Sequence, residues 1–254
     1  MFRSVLPILL LLLLALPAGC GRKGPVRPLK QPLPDAPQDL VLRQQGMRFL
    51  LAWGLPAQNQ DGSPLTDLEG FRIYKMKYDP AEDCPECRDT SILLEDVALD
   101  YLREVIRRGN RFYYYDTELR TDAGYQYRIT PYDRKHREGA PAMVRLPTSV
   151  PPLAPATLNA TGHDRLVRLN WEPVNEKRPD EEWLGYNLYR RQPGEAFPPA
   201  PVNHEPLTAA SFEDFGLEND RTYIYAVRSL VRVSGHPVES DLSELVEVLP
   251  REGF

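Results

Sequence analysis

Histidine and cysteine are scarce in this chain, four and three among 254 residues. None of His136, His163, His204 and His236 stands in an H-E-x-x-H pattern, and no G-x-S-x-G supplies a nucleophile for one to activate. There is no glycine-rich loop of the kind that cradles phosphate. A second C-x-x-C pair, which a zinc site would normally need beside Cys84 and Cys87, is missing. These gaps turn the reading away from enzymes, and no cofactor is expected. A membrane-spanning run is missing too. The apolar stretch from Val5 to Leu16 holds twelve residues, against about 20 needed to cross a hydrocarbon core. Nor is there a surplus of positive charge. The whole chain stands at −5; setting aside Arg3 leaves −6, and four cations against Asp35 in 21–35 leave the remainder, 36–254, at −9. An acidic body argues against nucleic acid, where Lys and Arg supply the affinity by neutralising phosphate.

What is present begins at the N-terminus. Arg3 precedes the apolar run, and Leu16-Pro17-Ala18-Gly19 ends it with small residues. That is the layout of a cleaved secretory signal, assigned here to 1–19. Cys20 follows at once. Ala18-Gly19-Cys20 resembles the lipobox of bacterial lipoproteins, departing from it in having Pro17 where the family usually has an apolar or small residue. The resemblance implies a covalent lipid on Cys20 and a place in the bacterial cell envelope, held through membrane lipid. Gly21 stands where an Asp would favour inner-membrane retention, which points to the outer membrane.

Residues 20–35 read as a lipidated proline-rich linker. Prolines at 25, 28, 32, 34 and 37 forbid helix and sheet interior and favour polyproline II. At about 3.1 Å per residue the stretch to Pro37 is a stalk of on the order of 45 Å. Its Arg22, Lys23, Arg27 and Lys30 suit an anionic surface or simply keep a linker solvated. Cys20-Gly21-Arg22-Lys23-Gly24-Pro25 also looks like the mature start of small outer-membrane lipoproteins that assist assembly of the lipopolysaccharide translocon. That likeness covers six residues.

The body repeats itself around a proline cluster at 147–155. Pro37-x-x-Leu40 matches Pro155-x-x-Leu158, and Leu51-Ala-Trp53 matches Leu169-Asn-Trp171. Gly70-Phe71-Arg-Ile73-Tyr74 matches Gly185-Tyr186-Asn-Leu188-Tyr189, Tyr114-Tyr-Asp116 matches Phe212-Glu-Asp214, and Tyr125-Gln-Tyr127 matches Tyr223-Ile-Tyr225. The blocks alternate with period 2, as half-buried strands do. They resemble fibronectin type III domains: the Pro-x-x-Leu entry, the Trp ending the second strand, the Gly-aromatic start of the third. A Leu six before a Tyr completes the set, as Leu119 to Tyr125 and Leu217 to Tyr223. The resemblance implies an all-β chain of two tandem seven-stranded immunoglobulin-like sandwiches, 36–148 and 149–250. It also implies a tyrosine corner in each, with the hydroxyl bonded back to the backbone. Leu51, Trp53, Phe71, Ile73, Tyr114, Tyr127 and Ile129 should point inward, as should Leu169, Trp171, Tyr186, Leu188, Phe212, Tyr225 and Val227.

Four features remain. Cys84-Pro85-Glu86-Cys87 sits among acidic residues that raise a thiol pKa, so a local disulfide is expected ahead of a redox or metal pair. Leu94, Val97, Tyr101 and Val105 have helical spacing over 93–108, which predicts an amphipathic insert in the first repeat. Glu176, Asp180, Glu181 and Glu182 form an acidic run that reads as a solvated turn. Tyr74, Tyr113, Tyr115 and Tyr189 fall outward by strand parity and are the candidate partner-binding residues. The expected function is an interaction module that holds an envelope protein or glycan. The alternative is an assembly or spacer lipoprotein whose N-terminal segment contacts an outer-membrane machine.

Overall fold

The computed structural model describes residues 32–81, 89–175 and 178–253. Cys20, Cys84 and Cys87 lie outside the described residues, so the lipid and disulfide expectations stand as expectations. The described chain is all-β and contains no helix. The first sandwich uses β1 (Gln38–Gln45), β2 (Arg48–Gly54), β3 (Leu68–Tyr78), β4 (Ile92–Ala98), β5 (Ile106–Arg108), β6 (Arg111–Asp116), β7 (Gly124–Asp133) and β8 (Ala142–Pro147). The second uses β9 (Ala156–His163), β10 (Leu166–Glu172), β11 (Glu181–Arg191), β12 (Ser211–Phe215), β13 (Tyr223–Val233), β14 (His236–Glu239) and β15 (Val246–Val248). The first therefore has one strand more than the seven expected, the three-residue β5 lying on β6.

Period-2 alternation builds each core. Leu51 and Trp53 of β2 face Phe71 and Ile73 of β3 and Tyr127 and Ile129 of β7, all fully buried. The Trp53 ring stacks on Phe112 at 5.8 Å and meets Phe71 edge-on. In the second core Trp171 meets Tyr186 edge-on at 5.3 Å, above Leu188, Tyr225 and Val227. Tyr114 and Phe212 pack against their cores while partly buried. Both tyrosine corners form. The Arg120 amide donates to Tyr125 Oη at 3.0 Å, and the Glu218 amide donates to Tyr223 Oη at 3.1 Å.

The repeat extends to a charged cluster that the sequence pattern did not single out. Tyr127 Oη donates to Asp116 at 2.5 Å, and Lys75 Nζ reaches the same carboxylate at 2.6 Å. In the second sandwich Tyr225 Oη donates to Asp214 at 2.7 Å and Arg190 pairs with it at 2.5 Å. Burial, reinforced by the adjacent carboxylate, pushes both phenols well above their ordinary range.

The amphipathic helix over 93–108 is replaced by β4 and β5. The pairing of β3 with β4 jumps from Ile73–Glu95 to Tyr74–Leu93, leaving Leu94 as an extra residue. This bulge lets Leu94 and Val97, three apart, both pack on the core. The spacing that suggests a helix is the spacing of a bulged strand.

The end of the proline-rich segment belongs to the first sandwich. Pro34 is buried and bridges to Asn59, and its carbonyl accepts from the Ala140 amide at 2.9 Å.

Candidate functional site

The two sandwiches share a sheet. β14 pairs in parallel with β1, Gln44 opposite Val238 and Gln45 opposite Glu239. One sheet thereby runs β11-β13-β14-β1-β2-β6-β5 through both halves, with β15 also on β13. The remaining strands form a three-stranded sheet, β12-β10-β9, and a four-stranded one, β4-β3-β7-β8.

Polar side chains with strict partners seal the seam. Gln45 Nε2 donates to Tyr189 Oη at 3.1 Å. Tyr189 Oη in turn donates to Glu239 at 2.8 Å, and Asn187 Nδ2 donates to the same carboxylate. The Gly46 amide donates to the Glu239 carbonyl at 2.9 Å. Arg228, 3% exposed, lies over the Tyr189 ring and donates to the Ser240 carbonyl. Burial lowers the Arg228 pKa and raises that of Tyr189, the latter with help from Glu239. On the first sandwich Arg48 lies 4.4 Å over the Tyr115 ring, whose phenol burial also pushes up.

The linker is tied to both sandwiches. Gln44 Nε2 donates to the Ser149 carbonyl at 2.6 Å, and the Ser149 amide donates back to Gln44 Oε1 at 2.9 Å. Arg178 donates to the carbonyls of Val150 and Pro151, and Ser229 Oγ to that of Leu153. Arg178 is held by Glu181, and Glu182 pairs with Arg232 at 2.6 Å, so two members of the acidic run serve as structural ion pairs. A proline-rich joint that composition left free to be stiff or hinged is clamped at four places, Ser149, Val150, Pro151 and Leu153.

Beside the seam lies a groove. One cavity of about 280 Å³ has Val41, Leu50 and Ala52 on its floor, Pro199 and Ala200 of the second sandwich on one side, and Arg43, Arg111 and Tyr113 at its rim. Another, of about 310 Å³, starts from Arg43 and Gln44 and continues past Asn187, Pro201, Asn203 and His204. Leu50 and Ala52 point away from their own core yet are 3% and 8% exposed.

The expected tyrosines divide between two places. Tyr113 lines the groove and Tyr115 flanks the seam. Tyr189 also leaves its own core, as parity requires, but it is 3% exposed because the first sandwich covers it. It is a corrected assignment: Tyr189 is an internal contact between sandwiches and offers no surface to a partner. Tyr74 lies on the other sheet of the first sandwich. There it donates to Glu138 at 2.6 Å, under the Arg128 guanidinium 4.3 Å from its ring. Burial opposes ionisation of Glu138, but bonds from Tyr74 and Arg72 hold its carboxyl below the usual range. Leu93, Tyr74, Arg128 and Met143 form one row across this face, with Leu93 and Met143 exposed at its ends.

Arg43, Gln45, Gly46 and Glu239 were not singled out in the sequence. Gln44-Gln45-Gly46 at a strand end reads as an ordinary hairpin turn, and nothing local marks which polar strand end meets another domain.

No protein-family model matches the chain, and no curated protein matches it. Among solved structures that match, the crystal structure of chicken CNTN1 FN1–FN3 domains is 14% identical, covering 87% of this chain and 68% of that one, with a TM-score of 0.33. A structure titled "Myokine structure" is 20% identical, covering 39% of this chain and 99% of its own, with a TM-score of 0.31. The fibronectin type III-like fold is carried here by the paired sheets, the Trp-centred cores and the two tyrosine corners of this chain.

Proposed function

We propose that the chain is a lipid-anchored envelope protein whose joined sandwiches act as a binding module for a partner protein. The anchor rests on Cys20 and the signal-like run before it. The single observation that supports binding is the groove beside the seam, built by residues of both sandwiches and held open by their shared sheet. A rigid body costs less to order on association than a hinged pair, so more of the contact energy appears as affinity. The three most strongly perturbed phenols, Tyr127, Tyr189 and Tyr225, are each bonded to a carboxylate inside the protein. Burial in the fold accounts for their shifts, and binding without catalysis is the function the arrangement supports.

The test is crosslinking in intact cells followed by mass spectrometry of captured partners, beside a Cys20→Ser control. A defined partner that the control loses supports anchored binding. Equal capture of abundant envelope proteins in both contradicts it. Rigidity also suits a spacer whose Cys20–Pro25 segment makes the functional contact. Replacing 37–254 with an unrelated domain separates the two, since retained function favours the spacer.

A further inference from the structure

The binding-module reading leaves the partner's chemistry open, and the groove narrows it. Its floor is aliphatic and its side wall is Pro199-Ala200. Its rim is cationic: Arg43 of β1 and Arg111 of β6 both line the first cavity, and no carboxylate does. Arg108 sits directly opposite Arg111 in the β5–β6 pairing, extending the positive end. Arg43 is exposed, and its side chain makes no hydrogen bond or ion pair with any described residue. It is also the residue at which the two cavities meet. Arg111 has Asp39 as its nearest carboxylate, at a loose 3.9 Å with Asp39 largely exposed. The Arg43 guanidinium, unpaired among the described residues, and the loosely paired one of Arg111, which also donates to the Asp39 carbonyl, lie on a body whose net charge over 36–254 is −9. The second cavity carries one carboxylate, the buried Glu239.

We propose that the groove binds an extended segment of a partner protein in which acidic side chains alternate with aliphatic ones. The aliphatic side chains rest on Val41, Leu50 and Ala52, and a carboxylate reaches Arg43. An Arg–carboxylate contact is frequently bidentate, which fixes register as well as adding energy. Arg111, which lines the same cavity as Tyr113, offers a second anchoring point. A glycan fits less well. Sugar rings stack on the broad faces of Trp, Tyr and Phe, and among the described residues lining the two cavities Tyr113 is the single side chain of that kind, with the His204 imidazole the one other ring. This inference rests on the binding-module reading.

The test uses the full chain in detergent on an array of short immobilised peptides that combine glutamate with leucine, valine and proline. Matching arrays carry glutamine or lysine in place of glutamate, and a further panel carries oligosaccharides. Retention by the glutamate set and loss on the other two peptide sets is expected. Arg43→Glu should weaken binding roughly tenfold or more, the scale of a lost charged hydrogen bond. Arg43→Lys should keep part of it. Arg168→Glu, on the far sheet of the second sandwich, should leave it unchanged. Because the Arg43 side chain has no partner among the described residues, the Arg43 variants should melt like the parent protein, so a loss of binding is not a loss of fold. Equal retention of all three peptide sets, retention by sugars alone, or full binding by Arg43→Glu overturns the proposal. Photo-crosslinkers placed at Tyr113 and at Tyr74 in cells separate this from the broader reading. Capture from Tyr74 alone keeps a binding module and removes the groove as its site; capture from neither removes both.

Discussion

Gln45 of the first sandwich donates its side-chain amide to the Tyr189 hydroxyl of the second, 3.1 Å away, with both side chains buried. Tyr189 cannot pass its own proton elsewhere without leaving Glu239 short of a donor. The buried glutamine, tyrosine and carboxylate therefore specify one arrangement of the two sandwiches. A buried polar chain of this kind is costly when any member is missing, so it favours the docked state only when the register of β1 on β14 is right.

Gly46 is the backbone counterpart of that chain. Its φ is +60°, and a Cβ there would lie 1.9 Å from Asp241 Oδ1. Gly46→Val should cost about 2 kcal/mol from the left-handed backbone alone, with the contact to Asp241 adding to it. Calorimetry should then resolve two unfolding transitions where the parent shows one. An unchanged single transition counts against the seam as a coupling element.

Asp116 and Asp214 hold equivalent places, but their cations differ in exposure. Lys75 is 10% exposed and Arg190 is 33%. Removing one partner of a buried pair costs about 3–5 kcal/mol because the other charge stays buried. Asp116→Asn should approach that range, and Asp214→Asn should fall clearly below it, as shown by urea midpoints. The reverse order would mean that exposure is not what sets the cost.

Alkali should unfold the protein through its phenols. Burial raises Tyr127, Tyr189 and Tyr225 strongly, and Tyr114 and Tyr132 are pushed up to about 12. A raised folded pKa gives stability that is complete below the unfolded value near 10 and is lost as pH climbs toward the folded one. Stability should be flat on this account up to about pH 9.5 and then fall by up to ~1.4 kcal/mol per pH unit for each such tyrosine. Phenolate absorbance should rise in two stages, the second coinciding with unfolding. A single early stage that includes every tyrosine would contradict the buried assignments.

Arg178 joins the linker to the second sandwich through Glu181 and the carbonyls of Val150 and Pro151. Arg178→Ala should leave both cores intact and open the linker to elastase cleavage near Val150, at least several-fold faster than in the parent. Equal cleavage rates would show that Gln44 and Ser229 hold the linker unaided.

The sandwiches are readable because period 2 and the paired Trp and Tyr positions record packing that each repeat completes by itself. Trp53 and Trp171, or Tyr125 and Tyr223, need only their own domain. The seam is different. Gln45, Tyr189 and Glu239 acquire their meaning from one another, across long stretches of chain, and each alone is an ordinary polar strand residue. Tyr189 shows the limit well: parity places it correctly on the outer face, and parity has no information about what covers that face. The bulge at Leu94 fails for a related reason, since one extra residue turns strand spacing into apparent helical spacing. Lys75 and Arg190 were within reach, lying one residue beyond a block already matched.

The central claim is that the two sandwiches form one body. Spin labels at exposed Thr121 and Thr161, in a chain with Cys20, Cys84 and Cys87 replaced by serine, read it directly by pulsed electron–electron resonance. One narrow distance distribution is expected, broadening in Gly46→Val. A broad distribution in the parent, unchanged by Gly46→Val, would contradict a joined sheet and with it the groove that the sheet holds open.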